Sequence, residues 1–419
     1  MTDAHLCRRV VATAAAASIF VLLSSTAHAQ TTRAEEIDQQ RRDKVARLWP
    51  ERESPLVNTA NGLIETGFGE RIEDGRGQNG PQVVLGGMRS GHGMSFGGGY
   101  RKTDIWAERL GVRATGRMTF QGAYMLDARL DFNTLTGERG FFNLYTKYER
   151  SPKMDFYGRG PFSRSADRSS FLLEDASVDF QAGLDLSNNL RIGATGGAVV
   201  VDTGPGQRSG FPSTEDAFGP ETAPGIGDGL IDFDRWGWFV AFDHRDSPAG
   251  PRSGGVYGLR YRHYFDRTLN KYNFYQADAE FQQYIPYFNR TRVIAFRAAA
   301  TLSWHGQDNE VPVFFMPTVG GNDDLRSFAR YRYHDSNAVF VSAEHRWYVF
   351  RGLDMAVFAD AGKVIPRKAD LDLSDLEWSG GVGFRTRLRD LVIMRTDFAF
   401  GRDGFRMIWT FSDIFTIDY

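Results

Sequence analysis

Arg326 lies in the stretch GGNDDLRSFARYR, residues 320–332, between Leu325 on one side and Ser327 and Phe328 on the other. Glycine and aspartate mark the stretch as a loop, yet a cation flanked by large apolar residues is not what a solvated loop needs. The chemistry open to such an arginine is a buried ion pair. Its planar fork stays charged and can hold a carboxylate with two parallel hydrogen bonds. Acceptors are present downstream. In 338–349 the residues Val339, Val341, Ala343, Trp347 and Val349 share one parity, with His345 as an exception, and Glu344 and Arg346 share the other. In 352–361 Leu353, Met355, Val357, Ala359 and Ala361 share one parity, and Asp354, Phe358 and Asp360 the other. On two adjacent strands Glu344 and Asp360 would face the same side, and a loop folded onto that side would bring Arg326 to both. The pattern alone is met as well, and more simply, by a solvated Arg326 and two acids of ordinary lumen charge.

Other spacings with chemical potential are weaker. DGLIDFD, Asp228–Asp234, alternates acids but lacks the spacing and distal glutamate of a calcium loop. His92, His244, His263, His305, His334 and His345 show no paired metal-ligand spacing, and no G-x-S-x-G occurs. GGVGF, 380–384, is a glycine-softened strand and not a phosphate loop, because no helix follows it. Neither a catalytic residue, nor a cofactor, nor a metal is expected.

The elements that would position Arg326 are strands. Tyr275, Ala277, Ala279 and Phe281 oppose Gln276, Asp278, Glu280 and Gln282; Leu110, Val112, Ala114 and Met118 oppose Arg113 and Arg117; Val392, Met394, Phe398 and Phe400 oppose Arg395 and Asp397. A period of two separates these faces and a helix would mix them. About sixteen such strands fit between residue 82 and residue 412. An even number closes into a barrel without a backbone edge in lipid. Long connections near 150–170, 201–232, 304–336 and 362–377 alternate with short ones such as Phe350-Arg351 and Arg389-Asp390, the asymmetry of outer loops and periplasmic turns. The fold class is therefore all-β: a sixteen-stranded antiparallel transmembrane β-barrel. A soluble barrel would hide its apolar face inside, where sixteen strands leave a large lumen; here the more polar face is the better candidate for that lumen.

Composition agrees: 46 glycines, 14% aromatic residues, and a formal net charge of −2 that gives no case for nucleic acid. Arg8 and Arg9, the apolar run VVATAAAASIFVLLSS and Ala27-His28-Ala29 make residues 1–29 a secretory signal peptide. Cys7, the one cysteine, precedes the apolar run, so the mature chain has no thiol chemistry. AEEIDQQRRDKVARLW, 34–49, reads as a short helix, and residues 30–80 as that helix plus a linker before the barrel of 81–419.

LRSF, the AEHR strand and FADAGKV, taken together, resemble the bacterial surface antigen family. These are barrels of the outer-membrane insertase and translocase superfamily that includes BamA, TamA and the two-partner secretion transporters. The family's loop after strand eleven carries an apolar-Arg-Gly-aromatic motif, followed by an inward glutamate and an F-x-D-x-G motif. Leu325, Arg326 and Phe328, then Glu344, Asp360 and Gly362 occupy those positions; Ser327 replaces the motif's glycine. FDHRDSPAGPRSGGVY, WSGGVGFRTRLRDLVIMRTDFAF and the terminal FRMIWTFSDIF are similar to further family segments. The resemblance implies insertion or translocation of proteins, or of lipids, through a weak seam between the first and last strands. Gly86 and Gly87 would interrupt the first strand of that seam. Outer-membrane lipid, lipopolysaccharide, client outer-membrane proteins and accessory proteins are the implied partners; nothing indicates an oligomeric state. About 50 residues from 30 to 80 are too few for a periplasmic POTRA domain, so recruitment of substrates by such domains is not carried over. A passive channel and a scaffold for a separately encoded protein are the competing readings.

Overall fold

A computed structural model describes residues 39–40 and 79–410, apart from 87, 90–92, 107–108, 134–138, 249, 351, 368–369, 371 and 389–390. Gln39 and Gln40 are helical. The signal peptide, the rest of the 34–49 helix, the linker up to residue 78, and residues 411–419 lie outside the described residues.

The chain runs through β1 (Gly80–Leu85), β2 (Ser95–Ile105), β3 (Leu110–Thr119), β4 (Tyr124–Asn133), β5 (Gly140–Phe156), β6 (Ser169–Asp185), β7 (Leu190–Pro205), β8 (Ile231–Asp243) and β9 (Gly254–Asp266). It continues through β10 (Phe274–Tyr287), β11 (Arg292–His305), β12 (Thr318–Val319), β13 (Tyr333–His334), β14 (Asn337–Phe350), β15 (Leu353–Ile365), β16 (Glu377–Leu388), β17 (Leu391–Gly401) and β18 (Gly404–Thr410). Sixteen of these form one antiparallel sheet in which every strand pairs with its neighbour in sequence; β12 and β13 form a separate two-residue ribbon inside the loop between β11 and β14. All sixteen lie where the period-two pattern places them, to within a few residues at most ends. β1 and β18 end the strand order, and the described residues contain no ladder between them.

The alternation sets the two faces. Val341, Val357, Phe281 and Met118 are exposed on the outside, whereas Ser342, Glu344, Asp360 and Gln282 are buried within. Aromatic side chains band the outer face. Trp236, Tyr261, His263, Tyr275 and Trp304 touch one another across β8–β11 towards the long-loop end. Phe242, Tyr257 and Phe281 stack nearer the short-turn end. His345, the exception to the apolar face, stacks on Tyr287 there. Rings at both rims of an apolar band suit a membrane barrel.

Three sequence-based expectations are corrected. Val392 does not face outward with Met394. The ladder slips between Thr386 and Arg387, so Val392 pairs with inward Arg387 and is buried. One extra residue in a bulge reverses the parity on its far side. Second, the glycine pair does not interrupt the first strand. β1 stops at Leu85, and Gly86 follows at φ +76°, a left-handed conformation that ends the ladder. Its carbonyl accepts from Ser95 Oγ at 2.8 Å; Gly87 is outside the described residues. Third, the inward face is not polar throughout. At the long-loop end Phe156, Phe171, Leu173, Ile231, Phe233 and Phe274 point inward and pack with Ile226, Val311, Val313 and Met316 from two loops. These loops roof that end of the lumen with an apolar core, and burial under the roof is what makes apolar residues favourable there.

Candidate functional site: the loop braced inside the barrel

The loop between β11 and β14 enters the lumen and lies against the wall formed by β14–β18. Its apolar residues explain why. Leu325 and Phe328 are fully buried with Val319, Tyr333, Ala338 and Val364, so the residues flanking the arginine dock on inward positions of β14 and β15. Gly362 makes the approach possible: a Cβ there would stand 2.8 Å from the Val339 carbonyl oxygen and 3.4 Å from Val319 Cγ1. Phe328 N–H donates to Leu325 O at 3.0 Å and Gly320 N–H to Asp324 Oδ2 at 3.1 Å, closing the tight turn that presents Arg326.

Arg326 has no solvent exposure. Its Nε and Nη2 donate to Asp360 Oδ2 and Oδ1 at 2.8 and 2.7 Å, the parallel fork that suits guanidinium to carboxylate. Nη1 donates to Glu344 Oε1 at 2.6 Å and to Asp397 Oδ2 at 3.2 Å. The guanidinium carbon sits 3.3 Å from the centre of the Phe358 ring, which adds a cation–π contact. Burial alone would lower the arginine's affinity for its proton, but the charges of Asp360 and Glu344, then that of Asp397, hold it above its ordinary range.

Three further arginines complete the cluster. Arg346 donates to Glu344 at 2.7 Å, Arg385 to Glu344 at 3.0 Å and to Asp397 at 2.5 Å, and Arg395 lies 3.3 Å from Asp397. Asp360 is different. Ser342 and Ser379 donate to it at 2.7 and 2.9 Å, but Arg326 is the one cation paired with it among the described residues. The register builds this arrangement, because Ser342, Asp360 and Ser379 stand side by side on three adjacent strands.

Asp397 and Arg385 are participants that the motifs did not reveal, although the parity of 391–400 already turned Asp397 inward. The glycine-rich strand also has a use that its softness hid. A Cβ on Gly383 would stand 2.1 Å from Asp397 Oδ1, and one on Gly381 would stand 2.7 Å from Phe358 Cζ. These inward glycines leave the room that the cluster fills.

Ser327 is fully buried against β17, where a Cβ on Gly401 would stand 2.1 Å from its hydroxyl oxygen. Its backbone is not among the positive-φ positions, so a side chain is tolerated there. The loop is fastened elsewhere too. Arg332 donates to Ser163 O at 2.7 Å and Arg159 to Asp335 Oδ1 at 2.8 Å, which ties the loop to the one between β5 and β6. Arg395 donates to Asn322 O at 2.7 Å, and Arg406 on β18 donates to the carbonyls of Arg326 and Phe328.

The acids of DGLIDFD do not converge. Tyr272 O–H donates to Asp228, whereas Asp234 is exposed and pairs with Arg267. Among the described residues no group of acids and histidines has the geometry of a metal site.

A braced inner loop on a sixteen-stranded barrel can be compared with known proteins. The Omp85 superfamily domain matches residues 235–405, a span that holds the loop, all three carboxylates and β9 to β17. Residues 235–405 are an Omp85 superfamily domain. The fold agrees with that assignment. The crystal structure of BamA from Haemophilus ducreyi lacking POTRA domains 1–3 superposes with a TM-score of 0.58 at 14% identity, over 80% of this chain and 71% of that one. CdiB from Escherichia coli aligns over 79% of this chain and 61% of its own, at 12% identity and a TM-score of 0.49. CdiB from Acinetobacter baumannii aligns over 81% and 56%, at 12% identity and a TM-score of 0.44. At such identities the likeness is one of fold. No curated protein sequence matches the chain. With its apolar outer face and its Omp85 domain, the protein is an integral outer-membrane β-barrel.

Proposed function

We propose that this Omp85 barrel assists the insertion or translocation of proteins at the outer membrane. The carrying observation is a contrast between two sides of the wall. β14–β17 are braced from inside by the Arg326 cluster. β1, by comparison, is six residues long and pairs with β2 across Gly97, Gly98 and Gly99. Adjacent glycines leave a strand little side-chain packing, so the ladder beside the β1 end is the weakest place to separate. A strand edge opened there offers unpaired N–H and C=O groups to an incoming segment, which would add by β-augmentation. The roof of loops over the long-loop end argues for this reading over an open pore. Client proteins, accessory proteins, outer-membrane lipid and lipopolysaccharide are the proposed partners. Residues 1–29 are proposed to direct export, and 30–80 to lead into the barrel.

Engineered cysteines test this, because the mature chain would carry no native one. One partner is placed at residues 82–85 and the other at 406–410. Oxidation of the folded protein should lock some pairs, and a locked barrel should lose its cellular phenotype while reduction restores it. A locked barrel with full function would remove the seam from the mechanism. Failure of every pair to form would mean that β1 and β18 are not neighbours.

A further inference from the structure

The brace inside the barrel gives His345 no role. It stands on the outward face of β14, level with Ile294 on β11 and Val357 on β15, where lipid favours an apolar side chain. The structure supplies a polar partner. β11 lies between β10 and β14, yet the phenol of Tyr287 on β10 reaches across it to hydrogen-bond Nε2 of His345, and the two rings stack with centroids 5.8 Å apart. Trp347 packs on the imidazole with centroids 5.4 Å apart.

Beside this bridge the outer face carries a cation. Arg292 opens β11 and is exposed; it pairs in register with Tyr287 on one side and with Trp347 on the other. Its guanidinium carbon lies 4.7 Å from the centre of the Phe288 ring. Arg290, in the turn between β10 and β11, is a second exposed cation. Among the described residues neither arginine is paired with a carboxylate. Arg252 of the β8–β9 turn donates to the Arg290 carbonyl at 3.0 Å, but its own charge is matched by Asp354 at 2.6 Å. Phe288, Asn289 and Arg290 follow one another at φ +47°, +53° and +62°, a left-handed run that suits glycine or asparagine. The bend therefore does not account for the phenylalanine and the arginine in it.

This cluster sits at the rim formed by the short turns, where lipid tails give way to headgroups. Rings with a polar tip belong at that depth, and a long cation there keeps its stem in apolar surroundings and its charge among the headgroups. Two guanidiniums without a carboxylate attract an anion, and their planar forks match the oxygens of a phosphate. Ile285 and Phe296, exposed further along the same face, give acyl chains an apolar surface to follow.

We propose that Arg290, Arg292 and the Tyr287–His345 bridge form a site for the headgroup of an anionic phospholipid at the short-turn rim. The arginines hold the phosphate, and the phenol and imidazole give the rest of the headgroup a polar edge on an otherwise apolar wall. A zwitterionic headgroup carries its own cation and gains less from two arginines. The inference goes beyond the insertion reading and holds or fails independently of it, because its test reads lipid binding and not the fate of a client.

Thermal unfolding of the full chain, folded in an uncharged detergent, tests the site. Dihexanoyl phosphatidylglycerol is titrated while sodium chloride keeps the ionic strength constant. A ligand that binds only the folded state raises the melting temperature in a saturable way, and the parent should show such a rise. Dihexanoyl phosphatidylcholine should need about tenfold more for the same effect. Arg292→Gln and Arg290→Gln should each weaken the response to phosphatidylglycerol by about tenfold. Arg292→Lys should retain part of it, and Arg164→Gln in an outer loop should behave as the parent. Heat-modifiable gel mobility confirms that each variant is folded; Arg290 lies outside the ladders, so Arg290→Gln decides the matter if Arg292→Gln does not fold. The proposal is overturned if the two lipids act equally, if the parent shows no saturable rise, or if the glutamine variants respond as the parent does. It is equally overturned if sn-glycerol 3-phosphate, which has the phosphate and no acyl chains, saturates as tightly as the lipid.

Discussion

Replacing Arg326 with alanine should release the inner loop while leaving the strand ladders of the barrel intact, and the three carboxylates should not suffer equally. Glu344 keeps Arg346 and Arg385, and Asp397 keeps Arg385 and Arg395. Asp360 keeps only the hydroxyls of Ser342 and Ser379. Removing one member of a buried pair costs about 3–5 kcal/mol. The two hydroxyl donors place this case near the lower end, about 3 kcal/mol. At 1.4 kcal/mol for each factor of ten, that raises the undocked population of the loop by roughly 100-fold. The ladders of β14–β17 do not pass through Arg326, so the barrel itself should persist. The assay is limited proteolysis of the folded protein with an enzyme that cuts after aromatic residues, since Phe328 and Tyr331 are shielded only while the loop is docked. Nicking should accelerate in Arg326→Ala, with heat-modifiable mobility unchanged. Adding Asp360→Asn removes the stranded charge and should recover much of the loss; adding Glu344→Gln should recover little. Equal rescue by the two, or a nicking rate unchanged from the parent, would refute the claim that Asp360 depends on Arg326.

The remaining predictions concern the wall, the loop's titration and its packing. Val341→Arg places a charge on the lipid face at a cost of roughly 2–4 kcal/mol near the midplane, whereas Thr301→Arg faces the lumen beside Asp278; only the first should impair folding on heat-modifiable gels. Burial, then the charge of Asp323, raises the Asp324 carboxyl to about 7. The folded loop therefore holds that proton more tightly than an unfolded one, whose carboxyl has the ordinary value of 3.8. Docking is strongest below that ordinary value and weakens as pH climbs to about 7, and Asp324→Asn should flatten this trend in nicking rates measured against the parent at each pH. Gly401→Ala would drive a methyl into the Ser327 hydroxyl and should undock the loop at about 1–3 kcal/mol, with Ser327→Gly recovering only part of the loss in the double variant, because the Trp378 carbonyl oxygen would still stand 2.7 Å from that methyl; fully additive losses would show that the two residues do not touch.

Alternation of apolar and polar residues, turn residues and loop lengths sufficed to place sixteen strands and their two faces. The reason is physical: in a membrane barrel each strand pairs with its neighbour in sequence, and lipid demands an apolar side chain at every second position. The same parity turned Glu344, Asp360 and Asp397 inward, and the motif around Arg326 singled out the first two. The partner it missed, Asp397, lies 71 residues from Arg326, and no local spacing reports a contact made across three intervening ladders. Where local rules broke, tertiary packing had the final say. A bulge turned Val392 inward, and a left-handed Gly86 ended β1. Loops folding over the rim made the upper lumen apolar. The alignment of Arg101 on β2 with Arg113 on β3 and Arg129 on β4 is likewise invisible along the chain, where each arginine is an ordinary residue of its own strand. Only the register between strands puts their charges side by side, because register is fixed by how whole ladders and turns fit together and not by any one segment.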